Sequence, residues 1–400
     1  MEIFDYYPIP HPYDVKERVN NGFRLPYDLQ DEIRLLFPKG KIKKKLNILI
    51  IGCGYNEAVY HALRSPKYQF TGIDISKNVC DANTKQINEY GILNLDIIQD
   101  DIFSSNLSNK YDVIICTAFI SYSNNKQNIF STLKNLVTKD GVIVLSLVSS
   151  VYDNQIKPIR NILNKMGFNY KDPESVNKAF DFVKKLDPFH PSKMAMLQVE
   201  KGKINVNKFI DLNDFALRYL NSYVKSFSVK EFIDELEDNN LYFQGWYNNS
   251  LYYTEANFSS SFNAKGAGQV NKLDVIQQWD AVCELKGPFV NHLNHLFVAS
   301  LNKNNFLLSD KLLADKKSII KLRPYQKIVK LPDSPTDYMI SPNLTTMLSE
   351  DETKICKAIS DYGKTIDDIM KDNKLDLSKD EIITILERLN SFSFLSIYKN

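Results

Sequence analysis

Between Leu46 and Val148 the chain alternates short apolar, β-branched runs with segments of helical spacing, and this alternation restricts the fold more than any other feature. LNILIIG (46–52), YQFTGIDI (68–75), LDIIQDDIF (95–103), YDVIICTAFI (111–120) and VIVLSLV (142–148) read as five strands. EAVYHALRSP (57–66), NVCDANTKQINEYGI (78–92) and QNIFSTLKNLVTKDG (127–141) read as the helices between them, stopped at Pro66, Gly91 and Gly141. Apolar runs of this kind suit strands buried on both faces, as in a parallel sheet covered by helices. Strands and helices alternating at short intervals specify a doubly wound α/β fold with a parallel, Rossmann-like sheet.

The sheet is expected to reach seven strands. SFSVKEFIDELEDNN (226–240) opens a helix on Ser228, with Glu231 three residues later as in a capping box. LYFQGWY (241–247) and HLFVASLN (295–302) read as the two remaining strands. Residues 152–222 read as helical pieces broken by Pro158, Pro173, Pro188 and Pro191. Together with 248–290 they are expected to be insertions at the C-terminal edge of the sheet, capping the crevice where ligands of such folds bind. Residues 1–45 form a Pro- and Tyr-rich arm or lid ending in a basic run from Lys39 to Lys45, read as a solvated connector. Beyond Lys303 a connector with Pro324, Pro332, Pro335 and Pro342 leads to helical segments at 349–362, 365–371 and 378–390 and a closing strand at 392–398. The domains are thus expected at 1–45, 46–302 and 303–400, the last small, mostly α and winged-helix-like.

Composition removes several classes. Lys plus Arg is 50 and Asp plus Glu 48, a net charge of +2 that draws the chain toward neither nucleic acid nor anionic membrane. No apolar run approaches the ~18 residues of a membrane span. The first basic residue is Lys16, which argues against a secretory or mitochondrial signal. Five scattered cysteines without a CxxC pair read as reduced thiols of a cytoplasmic protein with no structural metal. His292 and His295 lack further ligands at metal spacing. Residues 350–388 carry eleven acids against seven basic residues, which opposes phosphate binding and leaves an interaction or homodimer role for the tail.

Four features fall at the C-terminal ends of strands. In IIGCGYNEA (50–58), Gly52 and Gly54 permit a tight turn and close approach of a ligand. The third glycine of a dinucleotide loop is missing, with Asn56 and Glu57 in its stead, and no P-loop lysine follows. Asp74, at the end of the second strand with Ile75 after it, suits ribose hydroxyls. Asp101 and Ile102 follow the third strand, where a carboxylate can accept from an exocyclic amine and an apolar side chain can pack on a ring. Cys116 ends the fourth strand above the crevice. The set points to a nucleoside ligand without a pyrophosphate.

GCGYNEAVYHALRSPKYQFTGIDIS (52–76), followed by QDDIF and YDVIICTAFI, resembles a class I S-adenosylmethionine-dependent methyltransferase. The resemblance implies that Gly52, Cys53, Gly54 and Asn56 border the methionine end, with Asp74 and Ile75 at the ribose, Asp101 and Ile102 at the adenine, and Cys116 lining the pocket. Many members carry glycine where this chain has Asn56. LVSSVYDNQIKPIRNIL (147–163), LDPFHP (186–191) and 226–247 resemble a bacterial group with a capping insertion and a C-terminal helical domain. AlaLeuArgTyr at 216–219 stands where those relatives more often carry a His-Pro pair. A more distant likeness is to bacterial protein-lysine methyltransferases.

CysThrAlaPhe (116–119) replaces the Asn/Asp-Pro-Pro-aromatic sequence of DNA amino-methylases, and no proline precedes a cysteine as cytosine-C5 chemistry requires. Duplex nucleic acid is therefore not expected as a partner. Methyl transfer needs a base only where the acceptor must lose a proton. Tyr7, Tyr122, Tyr152 and His190 are the candidates for that role. The expected acceptor is a small molecule, because the insertion is aromatic and the charge balanced. The alternatives are a protein lysine, or a non-catalytic nucleoside-binding role.

Overall fold

The computed structural model describes residues 14–38, 42–117, 119–123, 129–200, 203–257, 267–286, 294–303, 312–313, 315–324, 326–330, 336–340, 345–359, 362–372 and 375–399. They divide into two units. One comprises Met1–Asp28, Lys44–Phe243 and Lys286–Lys303, the other Leu29–Lys43, Gln244–Leu285 and Asn304–Asn400. This differs from the boundaries read in the sequence. Residues 29–43 and 244–285 belong with the C-terminal residues, so 248–285 is not part of the sheet's own unit.

In chain order the first unit begins with α1 (Val15–Asn20), while α2 (Leu29–Leu36) belongs to the second. Then follow β1 (Asn47–Ile51), α3 (Glu57–Arg64), β2 (Gln69–Asp74), α4 (Lys77–Tyr90), β3 (Leu95–Gln99) and β4 (Tyr111–Cys116). After them come α5 (Phe119–Tyr122), α6 (Ile129–Leu136) and β5 (Val137–Val148). The β-branched runs become strands because both faces are covered: Ile48, Leu49, Ile50, Val113, Ile114 and Ile115 are all buried. Gly91 ends α4 at φ 66°, a left-handed cap its missing Cβ permits.

The seven-stranded sheet has the order β3-β2-β1-β4-β5-β9-β8, with β8 at Tyr242–Trp246 and β9 at Asn294–Ser300. β1 pairs in parallel with β2 and β4. β9, whose direction the sequence leaves open, runs antiparallel to β5. Helix α6 stops at Leu136, before Gly141, because β5 already starts at Val137 opposite Tyr111. β4 ends at Cys116 rather than running to Ile120, and the chain turns into α5.

The insertion holds α7 (Ser150–Lys165), α8 (Pro173–Lys184), α9 (Pro191–Met194), a hairpin of β6 (Leu197–Glu200) and β7 (Lys203–Phe209), and α10 (Leu212–Phe215). A π-helix, Ala216–Leu220, leads on from α10. Pro158 lies inside α7 without ending it, whereas Pro173 and Pro191 start helices, where a missing N–H costs nothing. The insertion has its own core, including Ile156, Leu163, Ala179, Val183, Phe215 and Tyr219. α11 (Val229–Asp238) carries the Ser228–Glu231 capping box that its sequence predicts.

In the second unit, helices at Glu350–Ile359, Ile366–Met370 and Lys379–Ser391 surround a core of Ile320, Ile355, Ile369, Leu386 and Phe394. The strands Ile319–Leu322 and Leu395–Tyr398 pair antiparallel, and Lys327–Lys330, Asp337–Ile340 and Thr345–Met347 form a three-stranded sheet. The Pro-rich connector therefore contains strands that were not expected. Arg323 pairs with Glu32 of α2 at 3.0 Å, and Trp246 stacks on Tyr252. Trp246 and Trp279 are both buried, as expected of core residues.

Candidate active site

The crevice of the first unit lies where strand order reverses, between the C-terminal ends of β1 and β4. β1 leads into a turn with Gly52 at φ 64° and Gly54 at φ 54°, both in the region that disfavours a Cβ. A Cβ on Gly52 would meet Phe119 at 3.4 Å, whereas the space beside Gly54 is open. Helix α4 holds the turn from behind. Asn83 Nδ2 donates to Gly54 O at 2.7 Å and Gln86 Nε2 to Tyr55 O at 2.9 Å.

Asp74 ends β2. The Gly54 N–H donates to its Oδ2 at 3.2 Å and the Ser76 N–H to its Oδ1 at 3.0 Å. Burial raises its pKa from the usual carboxylate value, and these backbone donors pull it back. Each oxygen keeps a further lone pair. Ile75 beside it is half-buried. Asp101, two residues past β3, accepts the Phe103 N–H on Oδ1 at 3.0 Å, and its Oδ2 has no protein partner among the described residues. Ile102 is buried next to it. Cys53 and Cys116 are fully buried, and burial drives both thiols well above their usual pKa. Cys53 thus borders the crevice only through its backbone. Asn56 precedes α3 at φ −134°, a conformation open to any residue, so no glycine is needed there. Its buried Oδ1 has no partner among the described residues.

Residues 49–143 match the family model described as a methyltransferase domain. This stretch is a methyltransferase domain. The fold agrees with PKMT2 from Rickettsia typhi in complex with AdoHcy at a TM-score of 0.65 and 18% identity, covering 95% of this chain and 77% of that one. A second structure of PKMT2 from Rickettsia typhi agrees at 0.60 with 16% identity, covering 92% and 74%. An uncharacterized protein of Rickettsia prowazekii, RP789, is 25% identical over 255 residues, 61% of this chain. The chain spans 45% of that relative's length.

The residues of the methyltransferase domain fit the cofactor. Open space beside Gly54, two carboxylates with unused acceptor positions at successive strand ends, and buried Ile102 match an amino-acid end, a ribose and a purine in turn. Three residues that support this turn or border it carry no such reading from sequence alone. Glu57, first in α3, accepts from Thr117 Oγ1 at 3.1 and 3.0 Å on its two oxygens, and from the Tyr27 hydroxyl. Burial raises its pKa to about 7, against the two hydrogen bonds. Asn83 and Gln86 sit on a helix face that reads as ordinary surface. The one signal for Glu57 was its place in the first turn after the GxG loop.

The candidate bases are distributed unequally. Tyr7 lies outside the described residues. Tyr122, on α5, is half-buried, and its hydroxyl has no hydrogen-bond partner among the described residues; burial raises its pKa to about 12. Tyr152, on α7, accepts from Arg218 at 3.1 Å and donates to Ala195 O at 3.3 Å. Arg218 sits in the π-helix and pairs with Asp214 at 2.8 Å, and its charge reaches both tyrosines. The insertion thus brings Tyr122 and Tyr152 together. His190 is not part of this cluster. It caps α9, with Nδ1 accepting from the Ser192 N–H at 3.2 Å. Among the described residues no group of three or more His, Cys, Asp or Glu could hold a metal, and no helix is long and apolar enough to cross a membrane.

Proposed function

We propose that the protein methylates an amine side chain of a protein acceptor. The observation that carries this reading is the likeness to PKMT2 across 95% of the chain, which takes in both units rather than the methyltransferase domain alone. It agrees with the distant likeness of the sequence to protein-lysine methyltransferases. The site residues support the cofactor side of the reading: Gly52, Gly54 and Asn56 border the methionine end, Asp74 and Ile75 the ribose, and Asp101 and Ile102 the adenine.

S-adenosylmethionine supplies an electrophilic methyl group on a sulfonium. At the acceptor nitrogen a bond to the methyl carbon would form as the carbon–sulfur bond breaks with its electron pair on sulfur, and the proton displaced from nitrogen would pass to solvent. An acceptor amine must be neutral to attack, so the environment has to disfavour its ammonium form. Tyr122, whose hydroxyl has no partner among the described residues, would accept a hydrogen bond from the neutral acceptor nitrogen. The protein's main contribution is alignment of the acceptor with the methyl group.

A second reading keeps a small-molecule acceptor. It is favoured by the insertion's buried aromatic core, in which Phe215 stacks on Tyr219 at 4.7 Å near the Tyr152–Arg218 pair. The test is incubation with methyl-labelled cofactor and a cell lysate, followed by separation by size and hydrolysis of the protein fraction. Label recovered as methylated lysine in proteins other than the enzyme supports the proposal. Label confined to small molecules overturns it in favour of the second reading.

A further inference from the structure

Glu57, half-buried at the crevice, stands out among the titratable groups because no basic side chain is paired with it among the described residues; its partners are the hydroxyls of Thr117 and Tyr27. A carboxylate largely withdrawn from water without a cation is costly unless a ligand supplies one. Its place is informative. The Cys53 thiol in the loop after β1 and the Cys116 thiol ending β4 both feel its charge, which puts the carboxylate at the reversal point of the sheet.

The other two carboxylates define a direction. Asp101 follows β3 and Asp74 ends β2, with β1 and β4 next in the sheet. A nucleoside laid with its base toward Asp101 and its ribose toward Asp74 continues over β1 toward Glu57. In S-adenosylmethionine that continuation is the methionine end, which carries an α-ammonium group.

Tyr27 reaches Glu57 from a strap that precedes the domain. The strap is fastened to α3 at two points. The Leu25 N–H donates to the Tyr60 hydroxyl at 2.9 Å, and Asp28 accepts from Tyr60 and from Arg64 Nε, the latter at 2.8 Å. The Tyr27 ring lies 5.7 Å from that of His61, one turn along α3 from Glu57. The strap therefore delivers a hydroxyl to the crevice from outside residues 49–143.

We propose that Glu57 receives the α-ammonium group of the cofactor and that Tyr27 is a positioning residue that holds the carboxylate in place. The proposal rests on the reading of the crevice as the cofactor site. It is tested by calorimetry with two ligands, S-adenosylhomocysteine and 5′-methylthioadenosine, which shares the nucleoside and thioether but lacks the amino-acid end. Competition replaces direct titration where the heat is small. Glu57→Gln, which keeps the acceptor for Thr117, is expected to weaken S-adenosylhomocysteine by about tenfold or more and to leave methylthioadenosine within about twofold. Tyr27→Phe is expected to cost a few fold, again for S-adenosylhomocysteine alone. Equal losses for both ligands, or no loss for either, overturn the proposal. Wild-type protein that binds neither ligand instead overturns the cofactor reading itself.

Discussion

The strand-end crevice and the insertion both hold charged side chains partly or wholly away from water, yet they treat them in opposite ways. At the crevice, among the described residues, Asp74, Asp101 and Glu57 accept only from backbone N–H groups or hydroxyls and keep acceptor positions unused. In the insertion the charges answer one another. Arg160 pairs with Asp153, both nearly inaccessible, while Ser226 donates to Asp153 at 3.1 Å and Arg160 Nε to Arg218 O at 2.8 Å. Arg218 pairs with Asp214. The crevice is electrostatically incomplete without a ligand, and the insertion is complete by itself. Substitutions in the first should therefore appear in binding, and substitutions in the second in stability.

The largest expected effect is on the insertion side. Asp153→Ala leaves Arg160 buried and unpaired and should cost about 3–5 kcal/mol of stability. Chemical denaturation measures it, and a loss below about 1 kcal/mol would mean that the pair is not the closed unit described.

Acid comes next. Burial lowers His61 and His295 to a pKa of about 4 from the ordinary 6.5. Both ring nitrogens of His61 lack partners among the described residues, and the ring packs on Phe70 at 6.3 Å. The unfolded chain then binds more protons than the folded one. The stability that these residues contribute is present above pH 6.5 and is lost as pH falls through 4, at about 3 kcal/mol for each histidine. Glu57 has the opposite sign: its raised pKa makes stability fall as pH rises from 4.5 to about 7, offsetting one histidine. His61→Phe should therefore flatten the acid limb of the stability profile. An unchanged limb would contradict the assignment.

Two glycines sharpen the comparison further. Gly54 at φ 54° and Gly167, after α7, at φ 85° both have open space where a Cβ would lie. Alanine at either should cost about 1–2 kcal/mol through backbone strain alone. Only Gly54→Ala should also weaken the cofactor, and a binding effect at Gly167 would break the division between the two regions.

The parts of the molecule legible in the sequence are those set by local pattern. The strand ends at Asp74 and Asp101 follow from β-branched runs closed by polar residues, and the Ser228–Glu231 capping box from three-residue spacing. Direction and partnership were not legible. Nothing in HLFVASLN distinguishes a parallel from an antiparallel neighbour, so β9 was placed in the sheet without its orientation. The pairing of β6 with β7 was hidden by the Lys- and Asn-rich alternation of their sequence and by the prolines before it. Glu57, Tyr27 and Thr117 meet only because the strap and β4 converge on α3 from 30 residues before Glu57 and 60 after it. Asn56 seemed a departure at a glycine position, and its backbone angle explains why asparagine suffices.

The most direct test of the account is a titration of S-adenosylhomocysteine into the wild-type protein and into Asp74→Ala. The carboxylate that Gly54 and Ser76 hold at the end of β2 should be the ribose anchor. Hydrogen bonds to a charged group contribute about 1.5–3 kcal/mol each, so the variant should lose roughly tenfold to more than a hundredfold in affinity. Unchanged affinity in Asp74→Ala would contradict the cofactor site at these strand ends.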